Sequence, residues 1–357
     1  MKRRDNIKNI IEKFVKEEEF SGAILIKEEQ DMLYRDAHGH AHRGFKVKNK
    51  IDTKFDCGGV TKLFTTVAIL QLVERGLLSL DDKVMNILDI KESKINRNIT
   101  IFHLLTHSSG MGDDYEWGSG KEYSDLFIHR PNYSIEKLED ALPLFINKEQ
   151  VFEPGEGTNY NNGAFILLGL VIEKITGEKY QEFVKNNVFS KADMSNTGFF
   201  NMSDIVENRA ECYEDIIDDN NNLIGFKKNI YSYPSCGLSD RGALTTVDDM
   251  LKFYDALWSG KLLGEEMTKE MTNYKVFSNE NNDIKTYYGF GIDYMVSKEE
   301  GKVYMATKTG FNYGVVACTA FIPEYDVKIM ILGNQYANIY TLAYNILREY
   351  YQLGERC

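Results

Sequence analysis

The sequence predicts an α+β fold in which strands from both chain ends form one antiparallel sheet and helices occupy the middle of the chain. Two patterns lead to this prediction. Period-two alternation of apolar residues follows the N-terminal segment and returns near the C-terminus, whereas the segment between them shows helical periodicity and polar loops. The simplest assembly is a sheet of about five or more strands, flanked by terminal helices and carrying an inserted helical domain.

The N-terminal segment "MKRRDNIKNIIEKFVKEEEF" predicts an amphipathic helix with Ile7, Ile10, Ile11, Phe14 and Val15 on one side. Charges interrupt it every few residues, so it lacks the apolar region of a signal peptide. The chain also lacks an uninterrupted apolar run of about 18 residues, and we therefore expect a cytoplasmic protein. The next segment, "SGAILIKEEQDMLYRDAHG", predicts two strands around a turn at "KEEQD".

Three apolar segments predict the main helices of the middle region. "VTKLFTTVAILQLVERG" is apolar around nearly its whole circumference, which indicates a central helix that ends near Gly76. "NGAFILLGLVIEKITG" predicts a second helix that ends at Gly177. "TTVDDMLKFYDALWSG" predicts a third, with Thr245 or Thr246 as its N-cap and two aspartates in its first turn.

Near the C-terminus, the segments "YYGFGIDYMV", "KVYMATKTG", "YGVVACTAFIP" and "YDVKIMILGN" predict four strands, and "NIYTLAYNILREYYQL" predicts a closing helix. These elements divide the chain into two expected parts. A sheet domain would comprise residues 1–57 and 286–357, a mostly helical domain would comprise residues 58–285, and an active-site cleft would lie between them.

Composition narrows the classes of partner and cofactor. The 357-residue chain has a formal net charge of −12, which disfavours nucleic acid or an anionic membrane surface as the main partner. Its five cysteines have no CxxC spacing, so we expect reduced thiols rather than disulfides or a zinc site. His38, His40 and His42 alternate at strand spacing, but the pattern is better explained as an exposed strand end. We expect no metal and no cofactor, and a small-molecule or peptide substrate.

The first stretch that suggests chemistry is "GGVTK". Residues 59 and 62 are three apart at the start of a helix, where they share a face and where the helix dipole favours developing negative charge. Burial in an apolar helix would lower the lysine pKa from about 10.4, which a proton acceptor requires. The residue that would face Lys62, however, is Gly59. On this stretch alone, a lysine that extends to solvent is the simpler explanation of the pattern.

Two further stretches are weak individually. In "PGEGTNYNNGAF", Tyr160 could transfer a proton and Asn162 could orient a substrate, although a packed aromatic and a helix cap would give the same letters. In "KTG", Lys308 and Thr309 precede Gly310 at the end of a predicted strand, a pattern that suits an anionic group at a sheet edge. A generic strand end is the alternative.

Together and in this order, the three stretches resemble the signature set of penicillin-binding proteins and serine β-lactamases. The Tyr-x-Asn form resembles class C β-lactamases and related DD-carboxypeptidases and esterases. The similarity covers about residues 20 to 335, and it includes the segments "ITIFHLLTHSSGM", "FEPGEGTNYNNGAFILLGLVIEKITG" and "GALTTVDDMLKFYDALWSGKLL". In this family, the "HLLTH" segment is a structural turn rather than a metal site.

The resemblance implies a serine hydrolase that forms an acyl-enzyme on an amide, lactam or ester near a carboxylate. Lys62 would activate the serine, and Tyr160 would exchange a proton with the serine or the leaving group. Asn162 would hold the substrate amide. Lys308 and Thr309, with Gly310, would meet the substrate carboxylate, and the backbone N–H groups of Gly59 and Phe311 would form the oxyanion hole.

The chain departs from the family at the nucleophile, because position 59 is glycine where serine is expected. Thr61 would face elsewhere on the helix, and Cys57 has the wrong spacing, so neither is expected to replace it. Two explanations follow. The chain is either a variant of an active enzyme whose serine was replaced, or a natural pseudoenzyme that acts as a ligand-binding or regulatory protein. We favour the first, since Lys62, Tyr160, Asn162 and Lys308 are all retained.

Overall fold

The computed structural model describes residues 2–115, 120, 122–220, 222–351 and 353. Within this part of the chain, no helix is long and apolar enough to cross a membrane. Short 3-10 turns, among them Gly58–Thr61, connect several elements. The α-helices are α1 (Lys2–Glu17), α2 (Lys62–Glu74), α3 (Val84–Leu88), α4 (Ile101–Leu105), α5 (Leu138–Ala141), α6 (Asn162–Thr176), α7 (Tyr180–Val184), α8 (Val247–Trp258), α9 (Glu265–Met271) and α10 (Ile339–Arg348).

The principal sheet is antiparallel, has eight strands and draws them from both chain ends, which confirms the predicted fold class. Its order is β10-β11-β12-β13-β14-β15-β1-β2. The strands are β1 (Gly22–Glu28), β2 (Asp31–His38), β3 (His40–His42), β4 (Val47–Lys48), β5 (Phe55–Asp56), β6 (Gly198–Phe199), β7 (Tyr213–Ile217), β8 (Leu223–Lys228), β9 (Ala243–Thr245), β10 (Val276–Glu280), β11 (Ile284–Tyr288), β12 (Asp293–Ser297), β13 (Val303–Asn312), β14 (Val315–Ile322) and β15 (Val327–Gly333).

Both faces of this sheet are covered, because alternate residues of its central strands enter two different cores. Ile24 of β1 and Ile331 of β15 pack with the apolar faces of α1 and α10. Leu25 and Leu332, the next residues along the same strands, pack with the inserted helices. The core that contains Leu25 and Leu332 is the larger of the two, and the elements that form the cleft pack in it.

Helix α2 lies at the centre of the larger core, since every residue from Lys62 to Leu72 is buried. This confirms the prediction of a central helix. The predicted end of α6 is confirmed as well, since Gly177 adopts a left-handed φ of 73°. Helix α8 takes Thr246 as its N-cap, the second of the two predicted candidates.

Two strand predictions need correction. The segment "YYGFGIDYMV" contains two strands, because Gly289–Gly291 form a turn between β11 and β12, and Gly291 has a φ of 69°. The "KTG" residues do not end a strand. Strand β13 continues through Phe311 to Asn312, because its pairing with β14 runs on to a tight turn at Tyr313 and Gly314.

Candidate active site

Gly59, the predicted nucleophile position, lies in the 3-10 turn Gly58–Thr61, which leads directly into α2. Asp56 fixes this turn, since its Oδ1 accepts a hydrogen bond of 2.7 Å from the backbone N–H of Gly58. Gly58 has a φ of +49°, a conformation that strains residues with a side chain. The buried carboxylate of Asp56 therefore fixes the backbone of the turn, and another side of the turn faces β13.

Strand β13 approaches the turn closely because it carries Gly310 there. A Cβ atom on Gly310 would lie 2.2 Å from the carbonyl oxygen of Cys57 and 2.6 Å from the backbone nitrogen of Gly59. No side chain can occupy that space without separating the two backbones. The glycine of the "KTG" motif thus brings the predicted anion-binding strand against the predicted nucleophile turn.

The side-chain direction of residue 59 points at Tyr160. A Cβ atom on Gly59 would lie 2.8 Å from Tyr160 Oη, 3.1 Å from the carbonyl oxygen of Thr309 and 3.6 Å from Gly310 Cα. The phenol hydroxyl therefore borders the space where a nucleophilic side chain would begin. The structure brings all three sequence motifs together at this point.

Lys62 lies completely buried beside Tyr160. Its Nζ donates hydrogen bonds of 2.9 Å to Asn162 Oδ1 and 2.9 Å to the carbonyl oxygen of Asp240, and it is 4.8 Å from the centre of the Tyr160 ring. Burial lowers the pKa of Lys62 to about 7, against the opposing charge of Asp240. The amine can therefore exist in its neutral form near pH 7, as a proton acceptor must.

The side chain of Asn162 is engaged on all sides within the protein. Its Oδ1 accepts from Lys62, while its Nδ2 donates to Asp113 Oδ2 at 3.3 Å and to Asp114 Oδ1 at 3.1 Å. Asp113 also accepts from the backbone N–H groups of Asn162 and Gly163, both at 2.9 Å. A substrate amide could bind Asn162 only by replacing one of these bonds.

Behind Asn162 lies a buried charge network of three aspartates and Arg241. Arg241 Nη2 donates to Asp114 Oδ2 at 2.6 Å, and Arg241 Nε donates to Asp240 Oδ2. Burial raises the pKa of Asp113 to about 7, and the neighbouring charge of Asp114 adds to this effect. These residues were not predicted. They come from segments that are far apart in the sequence. The only sequence signal for them is that the charged residues occur as adjacent pairs, "DD" and "DR".

Lys308 lies on the other side of Tyr160, and its Nζ is 5.1 Å from the centre of that ring. The lysine is fully buried and forms an ion pair with Asp293 Oδ1 at 3.7 Å, too long for a hydrogen bond. Among the residues that the structure describes, Lys308 Nζ has no hydrogen-bond partner. This buried donor is consequently available to an anionic group that enters the site.

His107 supports Tyr160 from beneath, with ring centres 4.7 Å apart. Its Nδ1 accepts a hydrogen bond of 3.1 Å from the backbone N–H of Asn161. Burial lowers the pKa of His107 well below its usual range, and the charges of Lys308 and Lys62 act in the same direction. The imidazole is thus neutral and serves as a packing platform. This agrees with the expectation that "HLLTH" is structural.

Thr61 and Cys57 face away from the cleft. Thr61 Oγ1 accepts a hydrogen bond of 3.1 Å from the backbone N–H of Ala243 and contacts Cys57 Sγ at 3.5 Å. Burial raises the pKa of the Cys57 thiol far above neutrality, which removes its nucleophilic form. Neither residue can replace the missing side chain at position 59 in this arrangement.

The strand-spaced histidines lie away from this site. His38 Nε2 is hydrogen-bonded to Tyr34 Oη at 2.9 Å, and His42 Nε2 is 3.4 Å from Glu211 Oε2. Across the described ranges, no group of three or more His, Cys, Asp or Glu side chains could hold a metal ion.

The site opens into a cleft with about 660 Å³ of open space, its solvent-filled mouth included. Phe311, which is 40% exposed, stands at this mouth. Thr309 is placed beside the cleft, where its Oγ1 lies 3.0 Å from Tyr340 Oη. The residues that line the cleft are Gly58, Gly59, Tyr115, Tyr123, Tyr160, Asn162, Tyr233, Arg241, Phe311, Asn312 and Tyr313.

Comparison with known proteins agrees with this geometry. The chain is 27% identical over 309 residues to penicillin-binding protein 4* of Bacillus subtilis, a match that covers 84% of this chain and 65% of that protein. The structure resembles a penicillin-binding protein from Bacillus halodurans with a TM-score of 0.85 and 33% identity, over 96% of this chain and all of the other.

The fold is also that of a D-amino acid amidase from Ochrobactrum anthropi SV3, with a TM-score of 0.77 over 99% of both chains, although only 18% of residues are identical. The chain spans less than two thirds of the length of the Bacillus subtilis relative. A family model described as Beta-lactamase matches residues 7–345, almost the whole sequence. The chain therefore belongs to the Beta-lactamase family, together with penicillin-binding proteins.

Proposed function

We propose that this chain binds a small molecule or peptide that carries a carboxylate near an amide, lactam or ester, and that it holds this ligand without forming an acyl-enzyme. One observation carries the proposal. The hydroxyl of Tyr160 borders the space where a side chain of residue 59 would begin, the amine of Lys62 lies beside the Tyr160 ring, and residue 59 is glycine. The fold belongs to a class of serine hydrolases, but the atom that would attack is missing.

With serine at position 59, the surrounding groups support an acyl transfer. Neutral Lys62 would accept the hydroxyl proton as Oγ bonds to the carbonyl carbon, and the backbone N–H groups of residues 59 and 311 would stabilise the oxyanion. When the bond to the leaving group breaks, Tyr160 would pass its proton to that group and take up the proton held by Lys62. Water would then release the acyl group and restore the serine.

Lys308 is the group that we propose for the ligand carboxylate. It is buried, it has no hydrogen-bond partner among the described residues, and it lies on the same side of β13 as the approach to Gly59. A carboxylate would replace a distant ion pair with a short charge-assisted hydrogen bond. Thr309 Oγ1, beside the cleft, would be the second donor.

The experiment that tests this proposal uses the chain as it stands. We expect benzylpenicillin to bind in isothermal titration calorimetry, while intact-mass spectrometry after the same incubation shows no covalent adduct. An adduct on the Gly59 chain would overturn the assignment of the nucleophile position. A complete absence of binding would overturn the carboxylate-binding role of the cleft.

The alternative is a natural pseudoenzyme, and one observation favours it. Lys62, Asn162 and Asp113 satisfy one another's hydrogen bonds without any contribution from residue 59. A site of this kind remains ordered without its nucleophile and could serve as a ligand sensor. The codon at position 59 of the native gene decides between the two explanations. Glycine would favour the pseudoenzyme, and serine would favour a variant of an active hydrolase.

A further inference from the structure

The walls of the cleft are mainly aromatic, a feature that the hydrolase motifs do not require. Of the 11 residues that line it, six have aromatic rings. The remaining surface comes largely from the two glycines of the nucleophile turn and from two asparagines. The six aromatic residues are Tyr115, Tyr123, Tyr160, Tyr233, Phe311 and Tyr313.

One wall of the cleft is a packed stack around Tyr123. Its ring lies edge-on to Tyr115 at 5.5 Å between centres and to Phe127 at 5.7 Å. The guanidinium of Arg241 lies 5.1 Å from the Tyr123 ring centre, and Tyr123 Oη donates to Asp114 Oδ2 at 3.3 Å. These contacts fix the ring, so it presents a preformed surface to a ligand.

A second part of the lining is Tyr313, which lies in the turn between β13 and β14. Its hydroxyl donates a hydrogen bond to the carboxylate of Glu122, the residue that precedes Tyr123. This bond joins the turn of the sheet to the segment that carries Tyr123. Both Tyr123 and Tyr313 line the cleft.

Arg241 does not make the cleft a site for a second anion. Two carboxylates, those of Asp114 and Asp240, already accept hydrogen bonds from its guanidinium. The charge of Arg241 is thus balanced within the protein, whereas Lys308 retains an unused donor. The cleft itself therefore offers mainly aromatic surface, and the buried amine of Lys308, beside Tyr160, is the separate donor that we propose for an anion.

We propose that the cleft selects ligands that carry an aryl group in addition to their carboxylate, and that Tyr123 and Tyr313 determine this selectivity. The inference rests on the proposed ligand-binding function of the same site. An aryl ring that enters this aromatic-lined cleft gains edge or offset contacts beyond the burial of its surface. A saturated ring of the same size gains the burial alone.

The test compares three penicillins that share the bicyclic nucleus and the carboxylate. Their side chains are phenylacetamido, cyclohexylacetamido and acetamido, and their dissociation constants are measured by calorimetry on the Gly59 chain. We expect the phenylacetamido compound to bind roughly threefold or more tightly than the cyclohexyl compound, and roughly tenfold or more tightly than the acetamido compound.

Substitutions at Tyr313 test whether its ring causes the preference for the phenyl over the cyclohexyl compound. Tyr313→Leu should reduce the ratio of phenyl to cyclohexyl affinity to about one, whereas Tyr313→Phe retains the ring and should preserve it. Tyr304→Leu is the matched control. Tyr304 belongs to β13, the strand that leads into the turn with Tyr313, but its ring stacks on Tyr351 at 4.1 Å, against the core on the other face of the sheet. Thermal unfolding of each variant verifies that it is folded.

The outcomes separate this inference from the proposed function. Equal affinities for the three penicillins would overturn the aryl selectivity and leave carboxylate binding intact. An unchanged ratio in a folded Tyr313→Leu variant would also overturn the role of Tyr313. If none of the three compounds binds, both the aryl selectivity and the proposed function are wrong.

Discussion

The hydroxyl of Tyr160 lies 2.8 Å from the point that a Cβ atom on Gly59 would occupy. This distance is shorter than a relaxed contact, so the phenol must move back when residue 59 gains a side chain. The ring of Tyr160 packs on His107. The amines of two buried lysines, Lys62 and Lys308, lie 4.8 Å and 5.1 Å from the centre of the Tyr160 ring. A side chain at residue 59 and the hydroxyl of Tyr160 would therefore compete for the same space.

The two glycines of the nucleophile turn should respond differently to alanine. Gly58→Ala places a side chain at φ +49° and 3.2 Å from Gly310 Cα, so we expect a loss of about 1–2 kcal/mol in the free energy of unfolding. Gly59→Ala meets mainly the far end of Tyr160 and should cost less than about 1 kcal/mol. Urea unfolding measures both values. Equal losses would contradict the described backbone of the turn.

In a Gly59→Ser background, acylation should depend on the protonation of Lys62. Burial lowers the pKa of this amine to about 7, so the neutral, proton-accepting form increases as the pH rises through that value. We expect the second-order rate of acylation by a fluorescent penicillin to rise with pH through about 7. Gly59→Ser/Lys62→Met should abolish acylation. The informative range is about one pH unit on each side of this pKa, from about pH 6 to about pH 8. A rate of acylation that stays constant over that range would exclude Lys62 as the base.

Lys308 should recognise the carboxylate of the ligand specifically. Lys308→Met keeps most of the buried stem but removes the donor, and we expect benzylpenicillin to bind roughly 10- to 100-fold more weakly. The methyl ester of benzylpenicillin should bind both proteins about equally. Lys328→Met is the control, because Lys328 of β15 pairs with Asp326 and with Asp255 of α8. A similar loss of affinity for the ester would contradict the assignment.

Asp113 should support the start of α6 as well as Asn162. Its carboxylate accepts three hydrogen bonds, two from backbone N–H groups and one from Asn162 Nδ2. We expect Asp113→Ala to lower the free energy of unfolding by about 1.5–3 kcal/mol, more than removal of the N-cap side chain in Asn161→Ala, at about 1 kcal/mol. Denaturant unfolding of the two variants compares them. A smaller loss for Asp113→Ala would show that the network contributes little to the helix.

Local sequence patterns were enough to predict the elements that carry the site. The apolar circumference of α2, the Gly177 end of α6 and the strand alternation near both termini follow from periodicities of a few residues. The turn at Gly289–Gly291 was missed because aromatic residues on both sides continue the strand pattern through the glycines.

The charge network could not be predicted in the same way. Asp113 and Asp114 lie about 130 residues from Asp240 and Arg241, and in the sequence each pair has the letters of an ordinary solvated loop. Only the fold shows that they are buried together and that they engage Asn162. Likewise, the aromatic walls come from separate segments, and 22 tyrosines in the chain give no indication of which ones meet.

The central claim is that position 59 is the nucleophile position and that only its side chain is missing. Three proteins, the Gly59 chain, Gly59→Ala and Gly59→Ser, should be incubated with a fluorescent penicillin and examined for covalent label on a denaturing gel. The alanine variant displaces Tyr160 as serine does but supplies no oxygen. We predict label on Gly59→Ser alone. Undiminished label on the Gly59 chain, or no label on a folded Gly59→Ser protein, would contradict the account.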